Sequence, residues 1–145
     1  MAVAVGPDQK PIHTESFKAD ADLSSKQFYF VKMTANPREV GVCAATTDKP
    51  IGVLLNKPDA AGKAAEVMIM GRTKVSSDAA LNEAAAIGTS ADGQAVAKTV
   101  TTGGDSTHYV VGTIVAASGG AAEMAEAIIN CATPHFIQIL SLIHI

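Results

Sequence analysis

Apolar and polar positions fall in short runs along most of the chain, separated by turn-forming residues. Phe28-Tyr-Phe-Val-Lys-Met33 is dense in aromatic and β-branched residues and stops at Asn36-Pro37, a turn signal. Val40-Gly-Val-Cys43 is a second short apolar run. Asp48-Lys-Pro50 then precedes Ile51-Gly-Val-Leu-Leu55, and Asn56-Lys-Pro-Asp59 precedes a long strand candidate, Glu66–Val75. In it Val67, Ile69 and Gly71 alternate with Met68, Met70 and Arg72, so both faces are apolar until Arg72, as in a strand covered on two sides. Ala91-Asp-Gly-Gln94 reads as a hairpin turn before a weak strand at Ala95–Val100. Thr101–Asp105 is a Gly-rich loop, and His108–Ala116 is the next strand. Glu123–Asn130 fits strand or helix by periodicity alone.

One segment predicts a helix. Ser77 or Asp78 can serve as N-cap for the Ala-rich run Ala79–Ala86, and Gly88 ends it. At this length the helix is marginal alone, because nucleation is costly. Strand-like runs recur about every ten to fifteen residues with turn signals between them. That rhythm predicts a mainly β fold, a small single-domain sandwich or barrel with at most one or two short helices. A faint internal echo accompanies it. Ile51-Gly-Val-Leu-Leu followed by Ala64-Ala-Glu66 resembles Val111-Gly-Thr-Ile-Val followed by Ala121-Ala-Glu123. Ala/Gly/Val-rich sequence also produces such echoes by coincidence.

The two ends differ from this body. Residues 1–22 hold Pro7, Pro11 and scattered apolar positions without a sustained period, which reads as an extended N-terminal arm and not a domain element. Such a segment either frays or orders against a partner; in the second case Val3, Val5, Ile12 and Phe17 are its contact candidates. The β-rich body spans 23–134, and 135–145 forms a tail. Leu140-Ser-Leu-Ile-His-Ile145 is a translation of CTG TCT CTT ATA CAC ATC, a string that resembles the transposon end used to prepare sequencing libraries. Residues 140–145 are therefore read as adapter read-through, and His144 is set aside with them.

Composition narrows the function classes. Hydrophobic residues make up 48% of the 145, yet aromatic residues only 4%, with no Trp. Small side chains bury little area each, so the core is thin and a subunit interface is a natural source of further burial. A net charge of −3 without blocks of Lys or Arg disfavours nucleic-acid binding. The N-terminus lacks a signal-peptide pattern, and no apolar run is long enough to span a bilayer. Cys43 and Cys131 have no zinc-type spacing and read as buried free thiols.

Reactive constellations are weak. Asp105, Ser106 and His108 supply the residue types of a triad, but neighbours in one loop rarely reach its geometry. Gly62-Lys63 lacks the rest of a phosphate loop. His13, His108 and His135 are dispersed, Glu123 and Glu126 form a lone carboxylate pair, and Asp20 and Asp22 suit solubility. The expectation is a protein that binds, with no catalytic residue, cofactor or metal site.

Lys49-Pro-Ile-Gly-Val-Leu-Leu55, the Ala64–Gly71 strand, the Ala-rich run to Ile87-Gly88, Ala91-Asp-Gly-Gln94 and Val111-Gly-Thr-Ile-Val115 carry a resemblance. Together they are similar to the capsid cement, or decoration, proteins of tailed bacteriophages, over roughly Leu23 to Pro134. The resemblance implies a compact β-rich homotrimer that binds the major capsid protein on the outer head surface and stabilises capsomer junctions. With neither a signal-peptide pattern nor a membrane-length apolar run, the expected location before assembly is the host cytoplasm, and no membrane partner is expected. Two other readings stand beside it: another oligomeric structural or head-fibre-type module, and a small lipoyl-like carrier domain with Lys63 as the only attachment candidate.

Overall fold

A computed structural model describes residues 10–98 and 106–139, and every regular element among them is a β-strand. In chain order these are β1 (Lys10–Ala19), β2 (Phe30–Met33), β3 (Glu39–Val42), β4 (Gly52–Leu54), β5 (Ala64–Ser76), β6 (Ala86–Thr89), β7 (Ala95–Ala97), β8 (Ser106–Val110), β9 (Gly112–Ala116), β10 (Met124–Asn130) and β11 (His135–Ile139). The chain is thus mainly β and forms one small domain, as its pattern predicts. A nine-stranded sheet runs β1-β3-β2-β4-β5-β10-β9-β6-β7, and β8 pairs with β11 in a separate two-stranded ribbon.

The large sheet closes on itself twice. β1 pairs antiparallel with β5, Lys18 opposite Ala64, and parallel with β3, Ala19 opposite Val40. Strands β1-β3-β2-β4-β5 therefore make a ring, barrel 1. Strands β5-β10-β9-β6-β7 make a second ring, barrel 2, closed by a parallel bridge from Ser77 to Ala95. The 13-residue β5 is common to both. Its first half ends barrel 1, and its second half begins barrel 2.

The barrels are copies in register. Val53 faces Met68 and Leu54 faces Val67 in barrel 1; Thr113 faces Ile128 and Ile114 faces Ala127 in barrel 2. Phe30–Val53 and Val31–Gly52 correspond to Ala86–Thr113 and Ile87–Gly112. Even the irregular backbone repeats. Phe28 and Ala84 both sit at φ 69, and their N–H groups donate to Leu54 O (2.7 Å) and Ile114 O (2.8 Å). Gly52 and Gly112 are required by close approach, since a Cβ there would run into the carbonyl oxygens of Met68 and Ile128. The internal echo of the sequence corresponds to this duplication with one correction. Ala64-Ala-Glu66 matches Met124-Ala-Glu126 and not Ala121-Ala-Glu123.

Barrel 1 is filled by Ala19, Leu23, Val31, Val40, Leu54, Ala65 and Val67. The equivalent positions of barrel 2 are Ser77, Leu81, Ile87, Ala95, Ile114, Ala125 and Ala127, all buried. Phe30, Val53 and Met68 lie on the outer face of barrel 1 and are buried too, in one cluster with the interior of barrel 2. Cys43 and Cys131 belong to that cluster, and burial pushes both thiols up to about 12.

Two local expectations are corrected. Residues 79–86 form no helix: Leu81 bridges Ser118, Ala84 stands at positive φ, and Ala86 already begins β6. The Ala-rich run is too short to offset helix nucleation, while extended pairing to the segment after β9 satisfies the same backbone groups. Replacing Ala84 by glycine removes the left-handed penalty. It is expected to stabilise the fold by about 0.5–1 kcal/mol, a rise of a few degrees in thermal melting. The second correction concerns the two ends. From Lys10 onward the arm is β1, a wall of barrel 1, because its backbone completes the edge of β5, and the segment read as a tail begins as a strand, β11, paired with β8.

Candidate functional site

The residues that carry chemistry are spread over the molecule. His13 Nε2 lies 2.9 Å from Glu15 Oε2 on β1. His108 is on β8, its Nδ1 buried without a hydrogen-bond partner, and His135 is exposed at the start of β11. Asp105 lies outside the described residues. Lys63 is exposed at the β4–β5 turn and pairs with Asp59 at 3.2 Å. Glu123 Oε1 accepts from Gly119 N–H, and Glu126 sits on β10 opposite Lys74, so the strand alternative holds for this segment. Asp22 accepts from Ser24 N–H and Oγ, which lowers its carboxyl pKa. Among the described residues no group of three His, Cys, Asp or Glu could hold a metal, and no helix is long and apolar enough to cross a membrane.

Asp48 is the best-organised carboxylate. Burial alone would raise its pKa, but Ala44 N–H, Lys32 Nζ and Ala45 N–H all donate to Oδ2 and hold it below the usual range. A depressed folded pKa contributes stability above the unfolded value of 3.8, which is lost as pH falls through the folded value. Asp48→Asn should therefore lower the melting temperature at pH 7 and flatten its fall below pH 4, as thermal scans across pH would show.

What the molecule presents outward is surface. Ile12 is 75% exposed, and among the described residues Met33, Val115, Met124 and Ile128 are also exposed large apolar side chains. Of the four contact candidates, Val3 and Val5 lie outside the described residues. Ile12 is free at the surface, whereas Phe17 packs against the interior of barrel 1 with the Arg38 guanidinium 5.1 Å above its ring. Lys18, Pro37 and Arg38 rim a shallow groove beside it. Charge is divided unevenly. Residues 10–66 hold eight Lys/Arg and seven Asp/Glu, residues 67–139 three and six. Pattern reasoning reaches Ile12 but misses Ile128, because only the duplication reveals that its counterpart Met68 is buried.

No protein-family model and no curated protein matches the sequence. Among solved structures, the chain is similar to the crystal structure of the head fiber gp8.5 N base of bacteriophage phi29, with a TM-score of 0.61 at 13% sequence identity. The likeness covers 82% of this chain and 94% of that one. At such low identity it is the fold that is shared, and it is shared over nearly the whole of the phage protein.

Proposed function

We propose that this protein is a structural component of a tailed-phage head, bound to the outer surface of the shell through the major capsid protein. The observation that carries the reading is the near-complete fold likeness to a head fibre base. It joins the independent resemblance of Lys49–Leu55, Ala91–Gln94 and Val111–Val115 to capsid decoration proteins. In this reading the protein acts by binding and not by catalysis. It is a homotrimer, which adds burial to two thin barrels and multiplies weak contacts by avidity. It sits where capsomers meet and holds them together.

A second reading, the base of a head fibre, is favoured by the comparison itself. The two differ in what the shell loses. Heads assembled without a cement protein should release DNA at lower temperature than complete heads, and adding the purified protein back should restore the difference. Heads without a fibre base should release DNA at the same temperature as complete ones. The arm hypothesis narrows to residues 2–9 and Ile12. Deleting 2–9 should leave the barrels and the oligomer intact while lowering occupancy on heads. Undiminished occupancy would move the contact surface to the β-body.

A further inference from the structure

Two strand ends cross between the barrels, and in register they are copies of each other. Cys43 follows β3, and its N–H donates to Phe30 O at 3.0 Å; Lys98 follows β7, and its N–H donates to Ala86 O at 2.8 Å. The Cys43 thiol faces Thr89 of barrel 2. The Lys98 ammonium reaches the other way and donates to Thr46 O of barrel 1 at 3.1 Å. Lys98 is 7% exposed, and burial pulls its pKa down. A desolvated ammonium needs an acceptor held in place, because a buried charge left unpaired is costly.

Asp48 holds that acceptor. Its Oδ2 accepts from Ala44 N–H at 2.8 Å and from Ala45 N–H at 3.0 Å, and its own N–H donates to Ala45 O at 3.0 Å. Loop 44–48 is thereby closed on itself, with Thr46 inside the turn. Lys32 Nζ donates to the same Oδ2 at 2.9 Å and ties the loop to β2. Among the described residues, Lys32 from β2 and the Cys43 thiol after β3 are the titratable groups that act on Asp48 or feel it, Lys49 adjoins it in the chain, and Lys98 after β7 faces the loop carbonyl. Ala44, Thr46 and Thr47 are exposed, so apolar burial adds little to the closed form.

We propose that loop 44–48 is an acid-released clasp between the barrels: with Asp48 ionised it closes on Lys98, and with Asp48 protonated it opens while the barrels stay folded and joined. Three donors converge on one carboxylate oxygen, so a single protonation weakens all three hydrogen bonds together. The barrels keep a contact of their own that does not pass through the loop, Phe30 N–H to Gly93 O at 2.7 Å. The folded pKa of Asp48 lies below 3.8, so the clasp is closed above that value and opens as pH falls through the folded one.

Hydrogen exchange resolved to single amides tests this, with protection expressed against the intrinsic rate at each pH. Ala44 and Ala45 report the clasp, and Phe30 reports the contact between barrels. From pH 7 to about pH 2.5, Ala44 and Ala45 should lose protection about tenfold or more, as expected when a charged acceptor is neutralised. Phe30 should remain the better protected throughout. Low urea should speed Phe30 exchange and leave Ala44 and Ala45 unchanged, the mark of a local opening. Lys98→Met keeps the side-chain stem and removes the donor; it should lower protection at Ala44 and Ala45 about fivefold at pH 7, although it lies on the other barrel. Asp48→Asn should bring the acid behaviour to pH 7 and abolish its pH dependence. The parent protein's own pH series needs no variant to fold. Full protection of Ala44 and Ala45 in acid, or a urea dependence equal to that of Phe30 at both ends of the pH range, would overturn the proposal. So would undiminished protection of the loop in Lys98→Met.

Discussion

Replacing Phe30 by alanine is expected to lower the stability of the fold by about 3–5 kcal/mol, the usual cost of emptying a buried aromatic site. Phe30 is 1% exposed and touches both barrels: Val53 lies opposite it on β4, and its own N–H donates to Gly93 O. The cavity therefore opens in the contact that makes two small barrels one domain. Against a total stability of about 5–15 kcal/mol for a domain, such a loss is severe. The counterpart in barrel 2 is already alanine, Ala86, which is half-buried in a row with Thr113 and the exposed Ile128. Chemical denaturation should show the Phe30→Ala midpoint far below that of the parent, whereas Ile128→Ala on the uncovered face should change it by less than about 1 kcal/mol.

Removing residues 2–19 is expected to abolish cooperative folding of barrel 1. The deletion takes away β1, which pairs with β5 from Lys10 opposite Arg72 to Lys18 opposite Ala64 and bridges to β3. Ala19 and Phe17, which help fill the barrel, go with it. An open four-stranded remnant would expose Val67, Val31 and Leu54 along its inner face and two unpaired edges, a combination that favours aggregation. Size-exclusion chromatography should find the truncated chain largely in aggregates. A soluble product with the parent's melting temperature would mean that β1 is dispensable.

The sequence makes the strands of the body legible because they are bounded by turn residues and rich in Val, Ile and Phe. Phe30–Met33, Gly52–Leu54 and Met124–Asn130 fall within runs that the pattern marks. It does not make β1 legible. Its side chains are mostly exposed and include Lys10, His13, Glu15 and Lys18, so no apolar alternation appears, and backbone pairing to β5 and β3 defines it. The Ala-rich run at 79–86 misleads for the opposite reason. Alanine favours helix locally, but Leu81 and Ala84 find their partners in Ser118 and Ile114, far along the chain. His108–Ala116 reads as one strand and is two, β8 and β9, divided at Val111, whose N–H donates to Ile87 O. The duplication was hinted at by Gly52 and Gly112, yet its surface consequence at Ile128 depends on which barrel covers which. That is set by three-dimensional packing and leaves no local pattern.

Head binding, proposed above, is measured by incubating the purified protein with heads that were assembled without it, sedimenting the heads, and counting bound copies as the protein is titrated. Saturable binding at a fixed number of copies per head, with new density on the outer surface of the shell, is the expected result. Recovery no greater than that of an unrelated β-rich protein of the same size would overturn the proposed role.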